Sequence, residues 1–208
     1  MQFDRPVIVI LDSLLCLSVI YYFYQIRKKP MAPSAALIIY QLGFIAAFIT
    51  AFFGVLYHIN HAYFFTLERY GTMFAGGVLF SILVMAAFFD NFPPQKAVAL
   101  SVLPLFYLVI YTIFIFNKDY LFTYFVYLAF SDLALIFLAY SNRYKEISTI
   151  IIYSAYIIFV IAGFFAAFDF NVWFTTSEEL FHLLATLTVF LIYLGIDLEN
   201  SSSKATVG

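Results

Sequence analysis

Residues 175–195 read TTSEELFHLLATLTVFLIYLG. The stretch opens on hydroxyls and two carboxylates, Glu178 and Glu179, and then turns almost wholly apolar. Continued to residue 197, the apolar run has about 20 residues, the length of a helix that crosses the roughly 30 Å hydrocarbon core of a bilayer. One imidazole, His182, lies inside it, one helical turn after Glu178. An ionisable group in that position is costly in lipid and calls for a partner or a cavity.

The rest of the chain repeats the apolar pattern. Stretches 7–26, 35–57, 68–90, 96–117, 120–141 and 147–168 are of similar length, and 178–197 is the seventh. Short polar segments separate them: RKKPMAPS, HINHAYFFTLER, DNFPPQK, NKD, SNRYKE and DFNVWFTTS. Pro30, Pro33, Pro93 and Pro94 suit helix ends, whereas Pro104 inside the fourth stretch predicts a kink. The first stretch lacks a small-x-small cleavage site and is followed by six more spans, so it reads as a helix rather than a signal peptide.

Composition agrees. The 208 residues are 65% hydrophobic and 11% charged, with mean hydropathy +0.99. Soluble domains carry roughly a quarter charged residues, and a chain this short cannot bury so much apolar surface by itself. The 22% aromatic content suits lipid-facing and interfacial positions. The expected fold is therefore all-α: a polytopic membrane protein, a seven-transmembrane-helix bundle occupying 1–198, with a loose polar tail at 199–208. No basic run points to nucleic acid. The single cysteine, Cys16, cannot form an intramolecular disulfide.

Lysine and arginine set the expected orientation. With the N-terminus outside and the C-terminus inside, Arg27, Lys28, Lys29, Lys96, Arg143, Lys145 and Lys204 face inward, and Arg5, Arg69 and Lys118 face outward. The expected location is a cell or inner membrane in a bacterium, or an endomembrane in a eukaryote.

Helix parity gathers the costly polar residues. The start of the first span, the end of the second, and the starts of the third and seventh share one membrane face. Asp12, His58, His61, Glu68, Glu178, Glu179 and His182 all fall in that half, including every histidine of the chain. Residues at i and i+4 share a helical stripe, so Glu178 and His182 can offer two ligands to one metal. Imidazole and carboxylate suit zinc, whose catalytic sites keep three protein ligands and an open position. His58 is the natural third ligand, with His61 or Glu179 as alternates. Glu68 or Asp12 would hold or deprotonate a water, or orient a histidine. A substrate entering from the bilayer would be a lipid amide or ester.

Plainer roles exist for each residue. Glu178 and Glu179, after a possible cap at Ser177, suit a helix N-terminus and its dipole. His58 and His61 suit a loop. Asp132, near the middle of the fifth span, suits a hydrogen-bonding post between helices.

The motifs resemble the superfamily of seven-helix membrane hydrolases that includes alkaline ceramidases and the progestin and adipoQ receptors. That family has Ser-x-x-x-His near the end of its second helix, an aspartate at the start of the third, and His-x-x-x-His at the start of the seventh. GVLYH (54–58) matches the first with Gly54 in place of serine. LERYG (67–71) resembles the second with Glu68 in place of aspartate. SEELFH (177–182) resembles the third with Glu178 in place of the first histidine. The resemblance implies a zinc held within the membrane and hydrolysis of a lipid amide, with a His58–Glu178–His182 ligand set retained and the serine hydroxyl lost. Asp12 has no counterpart in the pattern.

The leading expectation is thus a zinc-dependent intramembrane hydrolase with a membrane lipid as substrate. A non-catalytic seven-helix lipid- or ligand-binding receptor is the first alternative. A small proton-coupled transporter relaying through Asp12, Asp132 and the histidines is the second, although no internal repeat accompanies it. A retinal protein is disfavoured, because the seventh span has no lysine.

Overall fold

The computed structural model describes residues 6–28, 35–115, 121–141, 146–168 and 176–205. Among them every regular element is an α-helix. These are α1 (Pro6–Lys28), α2 (Ala35–Ile59), α3 (His61–Asn91), α4 (Pro94–Leu100), α5 (Val102–Ile115), α6 (Leu121–Tyr140), α7 (Ile147–Phe168) and α8 (Ser177–Ala205). α4 and α5 form one interrupted rod, so the chain makes a seven-helix bundle. Five of the rods are long and apolar enough to cross a membrane. The other two, α3 and α6, have 31 and 20 residues; their described side chains include the apolar segments 77–91 and 129–140. The chain is a multi-pass membrane protein.

Two departures from the sequence expectation, at the start of α3 and in the tail, and one expected kink, at Pro104, have physical causes. The third helix starts at His61, not near 68. Asn60 is its N-cap, with a side chain that accepts a hydrogen bond from the Tyr63 backbone N–H at 3.3 Å. One capping residue therefore replaces the expected loop. The fourth rod breaks at Ser101, three residues before Pro104. Proline has no N–H to return to the Leu100 carbonyl and its ring crowds that turn. Ser101 instead bonds back to Ala97 through both its backbone N–H, at 2.9 Å, and its Oγ, at 2.8 Å. The second departure is the polar tail, which does not leave the last helix at 199. α8 continues to Ala205, and the Ser201 hydroxyl donates to the Asp197 carbonyl at 2.9 Å.

The helices close a ring. α1 packs on α2 and α8, α2 on α3, α3 on α6, α6 on α7, and α7 on α8, while the α4–α5 rod lies against α3 and α6. Each helix presents one stripe inward. On α1 this is Ile8, Asp12, Leu15, Val19 and Ile26, while Ile10, Leu14, Leu17, Tyr21 and Tyr24 face outward. On α2 the buried stripe contains Gly43, Ala47, Ala51 and Gly54, small residues that let membrane helices approach closely. On α8 it is His182, Ala185, Val189, Ile192 and Ile196. Gly195 meets Ile152 so closely that α7 and α8 leave no room there for a larger side chain.

Asp169, Arg5, Lys29, Lys118, Arg143 and Lys145 lie outside the described residues. So do the side chains of His61, Glu68, Arg69, Ser177 and Lys204. The orientation expected from charge draws on several of these.

Candidate metal centre

The inward stripes of α1, α2 and α8 each carry one ionisable residue to the same place. Asp12 follows Ile8 by one turn and precedes Leu15 and Val19 on the buried face of α1. His58 follows Ala51 and Gly54 on the buried face of α2. His182 begins the buried face of α8. All three are buried, and one ligand atom from each lies within 4.8 Å of the others. Six residues separate Pro6 from Asp12, so the cluster lies about 9 Å below the end of α1 at 1.5 Å per residue.

Asp12 is central. Its Oδ1 lies 2.8 Å from His182 Nδ1, and its Oδ2 lies 3.8 Å from His58 Nε2. The two imidazole rings stand nearly perpendicular, with centroids 6.3 Å apart. Glu178 Oε1 approaches His58 Nε2 to 3.3 Å from the outer side. Its side chain is 33% exposed, against 1% for Asp12, so it forms the rim of the cluster. His58 also meets the ring of Tyr57 edge-on, and His182 meets Phe181 in the same way, which fixes both imidazoles among aromatic neighbours.

Hydrogen bonding does not satisfy the centre. Asp12 Oδ1 and Oδ2 and His182 Nδ1 are buried without a hydrogen-bond partner, although Oδ1 and Nδ1 are 2.8 Å apart. They are close but not aligned as donor and acceptor. Buried polar atoms almost always find partners, and a buried carboxylate is expensive unless paired or bound to a metal. Lone pairs directed at a shared cation meet at such distances without hydrogen-bond alignment. Zinc bound tetrahedrally at about 2.0–2.1 Å sets neighbouring ligand atoms about 3.3 Å apart. The three buried ligand atoms lie within 4.8 Å of one another, close enough for small shifts to bring them to one such ion.

The room for Asp12 comes from Gly54. A Cβ at position 54 would stand 2.7 Å from Asp12 Oδ2 and 3.0 Å from its Cγ. The Gly54 backbone of α2 thus forms one wall of the carboxylate's pocket.

The structure brings together Asp12, His58 and His182 as the three residues whose ligand atoms share one place, while Glu178, expected as the third ligand, meets only His58, at 3.3 Å. Sequence reasoning had put Asp12 in a supporting role. The signal for a ligand position was its place on the buried stripe 8, 12, 15, 19 of the first helix. Glu179 is engaged elsewhere. Its Oε2 accepts from the Thr176 backbone N–H at 2.9 Å, and its own N–H donates to Thr176 Oγ1 at 3.3 Å. This reciprocal capping box makes Thr176 the N-cap, in place of Ser177, and turns Glu179 away from any metal. His61 and Glu68 lie on the first turns of α3, where only the backbone is described. The earlier helix start puts Glu68 about 10 Å along the axis from His61 at 1.5 Å per residue, rather than at the helix mouth.

The chain belongs to a family of unknown function, DUF6962, whose pattern covers residues 7–200. No curated protein and no solved structure matches it.

Proposed function

We propose that this member of the family is a zinc-dependent hydrolase that cleaves an amide or ester bond of a membrane lipid. The observation that carries the reading is the convergence of Asp12, His58 and His182. They are three buried ligand residues from three helices of a membrane bundle, and their ligand atoms lie within 4.8 Å of one another. In this reading they hold the metal, with Glu178 standing beside it.

Two imidazoles and a carboxylate form a donor set that suits zinc. Zinc in such a site supplies Lewis-acid polarisation of a carbonyl and a water acidified to near neutrality. The protein's own residues then have distinct tasks. The Asp12 carboxylate, touching both histidines, fixes their orientation. Glu178, at the rim and partly exposed, would take a proton at Oε1 from the attacking water and pass it to the leaving nitrogen or oxygen of the cleaved bond. The Phe181 ring against His182 and the exposed apolar side chains of α1 favour an acyl chain over a polar substrate.

The resemblance of 54–58 and 177–182 to the membrane hydrolases supports the same chemistry. The exchange of serine for glycine at 54 goes with a carboxylate from α1 occupying the adjoining space. The charge asymmetry supports placing this face outside, in a cell or inner membrane.

Metal analysis of protein purified in detergent, together with turnover of a panel of ceramides and fatty amides and esters, tests the proposal. About one zinc per chain with turnover that Glu178→Gln abolishes is the expected result. Bound zinc with no turnover on any substrate would favour the receptor reading, and the absence of metal would end the proposal.

A further inference from the structure

Away from the cluster, the bundle buries a second set of polar groups. Asp132 on α6 is fully buried, and neither of its carboxylate oxygens has a hydrogen-bond partner. The expected role of an interhelical hydrogen-bonding post is therefore not what the structure shows. Two other buried side-chain groups share this condition, the Tyr156 hydroxyl and Thr149 Oγ1, both on α7. Thr149 and Tyr156 are two turns apart on one buried stripe, with Ile152 between them.

Two of these groups, Asp132 and Tyr156, lie at one depth on packed helices. Asp132 is eight residues from the end of α6, and Tyr156 is nine from the start of α7. Both are thus about 12–14 Å below the face opposite the metal cluster, near the middle of the membrane. Tyr156 lies within electrostatic range of Asp132, Tyr140 and Asp90. Toward that opposite face, the hydroxyls of Tyr40 on α2 and Tyr140 on α6 are 2.8 Å apart. Tyr140 also donates to Asp90 Oδ2 at 3.5 Å. Asp90 stands at the last turn of α3, half-buried, where the helix reaches the polar segment after Asn91.

We infer that α2, α3, α6 and α7 enclose a hydrated proton pathway that runs from this face, through Asp90, Tyr140, Tyr40 and Tyr156, to a proton-binding carboxylate at Asp132. Three buried groups without hydrogen-bond partners on two packed helices, α6 and α7, create the polar setting in which internal water is held, with two to four hydrogen bonds each. Tyrosine and threonine hydroxyls both donate and accept, so they pass a proton along a chain. Ionisable residues inside membrane bundles mark such relays. A proton enters from water at Asp90 and converts the Asp132 carboxylate to a neutral carboxyl. It returns by the same route, so access is from one side. Among the described residues, the ionisable groups facing this pathway are Tyr40 from α2, Asp90 from α3, Tyr140 from α6 and Tyr156 from α7. Tyr111, the buried tyrosine of α5, lies near the other end of the bundle. The pathway shares no residue with the metal centre and stands whether or not zinc is bound.

Infrared spectroscopy of the full chain in lipid nanodiscs, transferred from H2O to D2O, tests this. Wild type should show a protonated-carboxyl C=O band that shifts within seconds. Asp132→Asn should lose that band. Tyr140→Phe should keep it while slowing its exchange at least tenfold. A band that survives Asp132→Asn, or that stays unshifted for hours in wild type, would overturn the inference and leave Asp132 a dry structural group. So would exchange at the wild-type rate in Tyr140→Phe. If Asp132→Asn does not fold, the wild-type and Tyr140→Phe exchange rates decide the matter.

Discussion

The Asp12 carboxylate occupies the space that a side chain at Gly54 would need. A Cβ at 54 would lie 2.7 Å from Asp12 Oδ2 and 3.0 Å from Oδ1, well inside van der Waals contact. One position on α2 and one on α1 are therefore coupled: α2 can come this close only with glycine there, and Asp12 can stand between two histidines only because it does. Gly54→Ala or Gly54→Ser should displace the carboxylate and weaken zinc binding by about 10- to 100-fold, the usual cost of disturbing the groups that orient a metal site. Competition against a chelator of known affinity measures it. Unchanged affinity in Gly54→Ser would mean that Asp12 has no part in holding metal.

Glu178 and Glu179 are neighbours with different work. Glu178→Gln should lower lipid hydrolysis by about 10²- to 10⁴-fold, the usual contribution of a general acid–base group, while zinc stays bound. Glu179→Gln removes one arm of the capping box with Thr176 and should cost about 1 kcal/mol at the start of α8, with turnover retained. Parallel assays of turnover and thermal unfolding separate the two. Equal losses of activity would contradict the assignment.

Metal should also act as a staple. Asp12, His58 and His182 come from the first, second and last helices, so an ion bound among them ties the two ends of the chain together. Zinc at about 100 times its dissociation constant should add about 2.7 kcal/mol of stability by mass action, and a chelator should remove it. The thermal transition of wild type should rise with zinc, and that of His182→Ala should not. A zinc-dependent rise in the variant would place the metal elsewhere.

A control lies at the other end of α8. Gly195 sits against Ile152 of α7, where an added methyl has no room. Gly195→Ala should destabilise the bundle by about 1–3 kcal/mol through overpacking. It is about 20 Å along the helix from His182 at 1.5 Å per residue, so zinc stoichiometry should not change. Thermal unfolding and metal analysis on one preparation check both statements.

Much of this was readable in the chain, for identifiable reasons. Seven apolar runs with polar punctuation dictate a helical membrane bundle, because lipid leaves backbone groups no partner outside the helix. Parity then put Asp12, His58, Glu178 and His182 in one half of the membrane. Which helices are neighbours was not readable. Asp12 becomes a ligand candidate because α1 packs between α2 and α8, and that order depends on side-chain packing that no single helix encodes. Gly54 gave no signal alone, since its meaning lies in another helix's carboxylate. The early start of α3 was hidden because Asn60 and His61 look like loop residues until the cap is seen. The Asp132 pathway was hidden too. Its tyrosines come from three helices in a chain with 17 of them, and in sequence they look like interfacial aromatics.

The central claim is that Asp12, His58 and His182 hold one zinc ion. Metal analysis of the purified full chain after removal of loosely bound ions tests it most directly, on wild type and on His58→Ala, His182→Ala and Asp12→Asn. The account predicts about one zinc per chain in wild type and loss of most of it in each variant that retains its helical circular dichroism. A metal-free wild type, or full zinc content in folded His58→Ala and His182→Ala, would contradict it.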